Sequence, residues 1–364
     1  MPDVNRPTQG YLPTLDGWRT ISILSVILSH DRIHHFGPLS TKWFYLHGHI
    51  GVDIFFAISG LLICSRLMVE EESSGCISMR NFYVRRAFRI LPAASFYLVT
   101  LLLLKLFAGL AVGVPEVLAS FFFLRNYTFI FSHFQTIYPG YTGHFWSLAI
   151  EEHFYLILPA LLVLAPKRWR IPLLAMMALA VAWHRTAAYS WMSQHTDMRI
   201  DALIVPALFA ILLRRSIMRA WFARWSRLWP LLVLAVLIPI SYDFAPRTRS
   251  WITVWIFPMM ILGTMLHPEN WFSRILELPV MRYVGRLSYS IYLWQQLFFV
   301  SHYGEVSTRI RLLQSWPWCL VMTAATAAFS YYFVERPCIK LGHRLAPNAA
   351  ANRIERSEVQ LSSG

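Results

Sequence analysis

Apolar runs about as long as a bilayer is thick recur along this whole chain, and they leave few folds open. A transmembrane helix needs roughly 20 mostly apolar residues. Such runs fall at about 17–36, 50–67, 90–110, 144–165, 171–188, 200–214, 228–242, 251–267, 283–302 and 314–334. Backbone polar groups in hydrocarbon must be satisfied within the segment itself, which leaves helices as the economical solution. The expectation is an all-α integral membrane protein of about ten transmembrane helices. Composition agrees: 56% of residues are hydrophobic and 14% charged, with mean hydropathy +0.46. Soluble domains carry about 25% charged residues.

The net charge of +14 could suggest nucleic acid, but its distribution argues against that. The positives gather in short links between apolar runs: Arg80, Arg85, Arg86 and Arg89; Lys167, Arg168 and Arg170; Arg214, Arg215, Arg219, Arg224 and Arg227; Arg336, Lys340 and Arg344. With both termini cytoplasmic and the spans alternating, every one of these links falls inside the cell, as the positive-inside rule requires. No nucleic-acid partner is expected; the bilayer is. A bacterial cytoplasmic membrane is the expected location. The stretch 115–132 is read as a re-entrant or interfacial helix, because a full span there would move the later basic links outside.

No cleavable signal peptide is evident, and the first apolar run reads as a retained signal anchor. Residues 1–345 read as one polytopic domain and 346–364 as a polar, disordered cytoplasmic tail. No soluble domain is expected at either end. Cys64, Cys76, Cys319 and Cys338 make no CxxC and read as free thiols.

Polar groups inside such runs are expensive to keep and therefore point to function. Arg19 and His30 are eleven residues apart in the first run, three helical turns, which puts them on one face roughly 16 Å apart. Histidine suits a general base, and arginine an anionic ligand. Snorkelling and bundle hydrogen bonds are the structural alternative. Arg86 and Arg89 share a helix face three residues apart and suit phosphates, though anchoring at the inner surface explains them as well. In the fourth run His144, Ser147, Glu151 and Tyr155 form one polar stripe, with Glu152 beside it. A carboxylate there is expected to pair with His30 or Arg199 across the bundle. Asp53 near the start of the second run, and Arg199 with Asp201 at the start of the sixth, are candidates for an ion pair or for polar groups along a substrate channel. His34, His35, His47 and His49 crowd one link, but without carboxylate or thiol partners no metal is expected.

These segments together resemble the acyltransferase-3 family of multi-pass membrane O-acyltransferases. Leu15-Asp16-Gly17-Trp18-Arg19 followed by His30 resembles its opening motif. Gly51-Val52-Asp53-Ile54-Phe55-Phe56 with Ser59-Gly60, the Arg86/Arg89 element before Pro92, and Trp146-Ser147-Leu148 with Glu151-Glu152 and Phe154-Tyr155 follow in the family's order. Ser288-Tyr289 through Tyr292-Leu293-Trp294 and Glu335-Arg336-Pro337 complete it. The resemblance covers nearly all of 11–345. Two positions depart: Gln295 stands where the family often has histidine, and Val205-Pro206 follow the Arg199-to-Leu203 motif where glycine is common.

The resemblance implies transfer of an acyl group, acetyl by default, from cytosolic acyl-CoA to a hydroxyl of a carbohydrate or glycoconjugate. No cofactor is held permanently; acyl-CoA is the donor substrate. It implies His30 as general base, Glu151 or Glu152 orienting it, Ser147 and Tyr155 near the oxyanion, and Arg19, Arg86 and Arg89 on the donor phosphates. O-antigen, exopolysaccharide, peptidoglycan, lipid-linked oligosaccharide, a Nod-like signal and a secondary metabolite all stay open as acceptors. With no hydrolase-like domain appended, the chain is expected to complete transfer alone. The competing reading is a transporter relaying protons or solute through buried His, Glu and Arg, though the inverted repeats such folds carry are not evident.

Overall fold

The computed structural model describes residues 12–30, 49–130, 140–188, 194–228, 246–299 and 309–347. Among them the chain is helical, without a strand. The longer helices are α1 (Pro13–His30), α2 (His49–Ser74), α3 (Met79–Ala108), α5 (Phe145–Leu164), α6 (Lys167–Ala187), α8 (Asp201–Leu212), α10 (Pro246–Leu266), α12 (Pro279–Phe298) and α13 (Trp318–Ser330). Shorter ones are α4 (Val114–Phe121), α7 (Thr196–Arg199), α9 (Ser216–Trp225), α11 (Trp271–Leu276) and α14 (Arg336–Leu345), the last joined to α13 by a π-helical turn, Tyr331–Glu335.

Among the described residues three segments are long and apolar enough to cross a membrane: Ile50–Ser74, Met79–Ala108 and Gly140–Leu164. Asp201–Leu212 and Thr253–Leu266 are shorter apolar helices. The expected run at 228–242 lies almost wholly outside the described residues, as do the end of the first run, His34, His35, His47 and the tail beyond 347. The doubtful stretch 115–132 forms an eight-residue helix, α4, and a 3-10 turn, Arg125–Ile130. Eight residues rise only about 12 Å, too little for a ~30 Å core.

Helix boundaries follow local chemistry. α3 starts where the Ser78 hydroxyl accepts from the Asn81 N–H, and stops at Gly109, whose left-handed backbone (φ 66°) turns its N–H back onto the last carbonyls. Packing then places the helices. α2 lies along α8 and α1, and α12 packs against α1 and α13. Two of these approaches need glycine. A Cβ on Gly60 of α2 would stand 2.3 Å from the Leu203 carbonyl oxygen of α8, and one on Gly285 of α12 would stand 1.9 Å from that of Asp16 in α1. Small residues at helix crossings are how backbones come this close in a bilayer. Gly60→Ala is expected to force α2 off α8 at roughly 1–3 kcal/mol of overpacking, read as a lowered Tm in detergent. An unchanged Tm would show that the crossing has slack.

Ion pairs close one end of the bundle, where the basic links gather. Glu70, Glu71 and Glu72 at the end of α2 hold Arg85, Arg170 and Arg214 in turn. The first two pairs measure 3.1 and 2.6 Å. All four cysteines are free thiols, Cys64 and Cys319 buried and Cys76 exposed.

Candidate active site

Four helix faces and one arginine of α1 enclose a cavity of about 170 Å³. Along α2 the lining runs Phe55, Ser59, Leu62 and Arg66, successive turns of one face. α3 contributes Arg86, Arg89 and Ile90; α5 contributes Ser147, Leu148, Glu151 and Tyr155; α12 contributes Ser288, Tyr289 and Tyr292; α1 contributes Arg19. Three members of the polar stripe read from helical spacing in α5 therefore share this cavity with the three expected arginines.

The fourth member, His144, does not line it. Its buried ring is boxed by Tyr97, Phe145 and Tyr292 with centroids 4.8–5.4 Å away. Among the described residues neither ring nitrogen has a hydrogen-bond partner.

The charges are unevenly compensated. The Arg19 guanidinium holds the Asp16 carboxylate of its own helix at 2.7 Å. Arg86 lies over the rings of Phe82 and Tyr155, 5.8 and 5.5 Å from their centroids, a cation–π seat. Arg66, Arg86 and Arg89 form no ion pair among the described residues. Arg85 of the same link is different: Glu70 holds it at 3.1 Å, and it does not line the cavity. Glu151 accepts from the Ser59 hydroxyl at 2.8 Å and from the Tyr155 hydroxyl at 3.4 Å. Glu152 does not line the cavity, and its buried Oε1 has no hydrogen-bond partner.

At the other end His30 Nδ1 lies 3.0 Å from Gln295 Oε1. The amide oxygen only accepts, so with this partner a neutral imidazole carries its proton on Nδ1 and its basic lone pair on Nε2. Tyr292, one turn before Gln295 on α12, lines the cavity, and its hydroxyl is 2.7 Å from the Ser147 hydroxyl and donates to the His144 carbonyl at 2.7 Å. His30 thus stands about one turn beyond the Ser147–Tyr292 pair.

The expected partners of the carboxylates are rearranged. Gln295, not a glutamate, meets His30 Nδ1, and Arg199 pairs with Asp53 while lying over the Trp146 ring. Asp201 takes Arg185 instead, both oxygens bonded at 2.8 and 2.9 Å in a buried bidentate pair. The Arg199–Asp53 pair joins α7 to α2 and the Arg185–Asp201 pair joins α6 to α8, and both lie off the cavity. Among the described residues no group of three or more His, Cys, Asp or Glu is placed to hold a metal.

Sequence reasoning missed Arg66, Tyr292 as a cavity residue, and Gln295 as the partner of His30. Gln295 was visible only as a departure from a motif. A lone arginine at the end of an apolar run, such as Arg66, looks like an anchor.

A family model described as an acyltransferase domain matches residues 12–335. The chain belongs to the acyltransferase-3 family. It is therefore a membrane protein and an acyltransferase by family, and every cavity residue lies inside the matched segment. It is 29% identical over 366 residues to the Staphylococcus aureus (strain COL) protein named "Putative O-acetyltransferase SACOL0978", covering 91% of this chain and 58% of that protein. It is 26% identical over 370 residues to the O-acetyltransferase OatA of Staphylococcus aureus (strain NCTC 8325 / PS 47), covering 92% of this chain and 58% of OatA. The chain thus spans less than two thirds of the length of these curated relatives. No solved structure matches it.

Proposed function

We propose that this acyltransferase moves an acyl group, acetyl by default, from cytosolic acyl-CoA to a hydroxyl of a carbohydrate or glycoconjugate at the opposite face of a bacterial cytoplasmic membrane. The observation that carries the reading is one cavity with arginines at its basic end and an amide-held histidine one turn beyond its other end. The relatives' names, both O-acetyltransferases, favour oxygen as the accepting atom. About ten spans with both termini cytoplasmic would put the arginines on the donor side and His30 on the acceptor side.

The chemistry balances in two steps. His30 Nε2 takes the proton of the acceptor hydroxyl as its oxygen attacks the thioester carbonyl, forming the new C–O bond. The tetrahedral oxyanion then collapses, the C–S bond breaks, and the imidazolium returns the proton to the departing thiolate. The products are an ester and free CoA. The Ser147 and Tyr292 hydroxyls line the cavity towards His30; the proton of Tyr292 is held by the His144 carbonyl, so the Ser147 hydroxyl, turned away from Tyr292, is the donor that would meet a carbonyl oxyanion. Gln295 fixes the tautomer of His30. Glu151, seated by Ser59 and Tyr155 and facing Arg86 and Arg89, shapes the donor channel; Glu152 is its buried neighbour on the same helix.

The test supplies acetyl-labelled CoA and cell-envelope glycans to membranes containing the protein, and follows label into the glycan fraction. Label transfer above protein-free membranes supports the reading. No transfer, across several acceptors and acyl lengths, moves the weight to a transporter. Gln295→Leu is expected to lower kcat about 10-fold, the scale of one lost hydrogen bond of about 1.4 kcal/mol, while donor KM stays put. A KM change without a kcat change would contradict its place at His30.

A further inference from the structure

We propose that Arg66 binds the 3′-phosphate of the CoA donor and so selects acyl-CoA over thioesters that lack it; this rests on the acyl-CoA reading above. Arg66 ends the α2 face that lines the cavity from Val52 onward, a wall about 21 Å long at 1.5 Å per residue. It is exposed at the basic end, where a ligand from solution arrives.

Arg66 forms no ion pair among the described residues. The strongest electrostatic influences on it come from Arg86, Arg89, Arg19 and Arg85, all cations. Among the described residues Glu151 is the one carboxylate on the cavity wall, and it is already seated by Ser59 and Tyr155. Guanidiniums converging on one cavity repel one another, and a polyanion bound between them removes that repulsion.

The placement separates the phosphates. Arg86 and Arg89 stand three residues apart on α3, a spacing suited to the diphosphate. Arg66 comes from a different helix across the cavity, so it meets a phosphate set apart from that pair. In CoA the 3′-phosphate is on the ribose, away from the diphosphate. A phosphopantetheine thioester has a single phosphate and would leave Arg66 without an anion. A lipid headgroup phosphate at the same end is the other source of such an anion.

The test compares acetyl-CoA with acetyl-dephospho-CoA as donor. It uses membranes holding the full chain as wild type, Arg66→Ala or Arg66→Lys, with envelope glycans as acceptor. The wild type is expected to show a donor KM about 10- to 100-fold lower for acetyl-CoA, the range of one charge-assisted bond. Arg66→Ala should raise the acetyl-CoA KM to the dephospho value and leave the dephospho KM within about twofold, while Arg66→Lys regains part of the preference.

The dephospho donor is the internal control for folding, since a damaged protein loses activity with both. Equal losses with both donors overturn the assignment. So does a wild type indifferent to the 3′-phosphate, and so does Arg66→Ala unchanged with either donor, the outcome expected if Arg66 meets lipid. A wild type that transfers from neither donor sinks the acyl-CoA reading itself and this inference with it.

Discussion

Replacing His30 with alanine is expected to lower acyl transfer by about 10²- to 10⁴-fold, the usual contribution of a positioned general base. The effect should fall on kcat. The arginines that would hold the donor lie at the far end of the cavity from His30, with the Ser147–Tyr292 pair between. His30 is the last residue of α1, and helix packing below it does not depend on its ring. Trp18 donates to Thr264, and Gly285 meets Asp16 several turns away. His30→Ala should therefore insert and survive detergent extraction like the wild type. His30→Gln is the sharper variant, since it keeps a polar group beside Gln295 but cannot take a proton near neutrality. Label transfer from acetyl-CoA at matched protein amount measures both. Equal transfer by wild type and both variants would keep the enzyme and remove its base.

What the sequence disclosed depends on how far apart the interacting residues sit along the chain. The polar stripe of α5 was legible because Ser147, Glu151 and Tyr155 recur at helical spacing within one run, and the cavity contains all three. Arg86 and Arg89 were legible for the same reason. Arg85, just before two arginines of identical chemistry, was not separable from them until Glu70 was seen to hold it.

Pairs from distant helices stayed hidden. Arg185, in the last turn of α6, was not singled out in the sequence, yet it is the buried partner of Asp201. Arg199 was one of two expected partners for a glutamate and also an ion-pair candidate beside Asp53; it pairs with Asp53. Gln295 carries no charge and no periodic signal of its own; only the fold of α12 against α1 brings it to His30. Long apolar helices were legible from composition, and the run at 200–214 overlaps the twelve-residue α8 to within two residues at each end, although a nearly wholly buried short helix reads the same as a span.

Arg86→Gln with Arg89→Gln is the second large expected effect. Two charge-assisted bonds to phosphate at about 1.5–3 kcal/mol each would raise donor KM by two to four decades if they added. They share one ligand and leave Arg19 and Arg66 on the same cavity, so the lower end, about 100-fold, is the expected figure. Glutamine is preferred to alanine because Arg86 also packs on Phe82 and Tyr155, and an emptied seat there would let the α3–α5 contact relax. The double variant should keep kcat at saturating donor within about tenfold, since neither residue reaches His30. The single variants discriminate further: Arg86, seated on two rings, is already oriented and loses little rotamer freedom on binding, so its removal should weigh more than that of Arg89. Donor KM and kcat from initial rates over a range of acetyl-CoA separate these terms. A fall in kcat at constant donor KM would place both arginines in the chemistry or the scaffold, and would leave the cavity's cations without the phosphates they are proposed to hold.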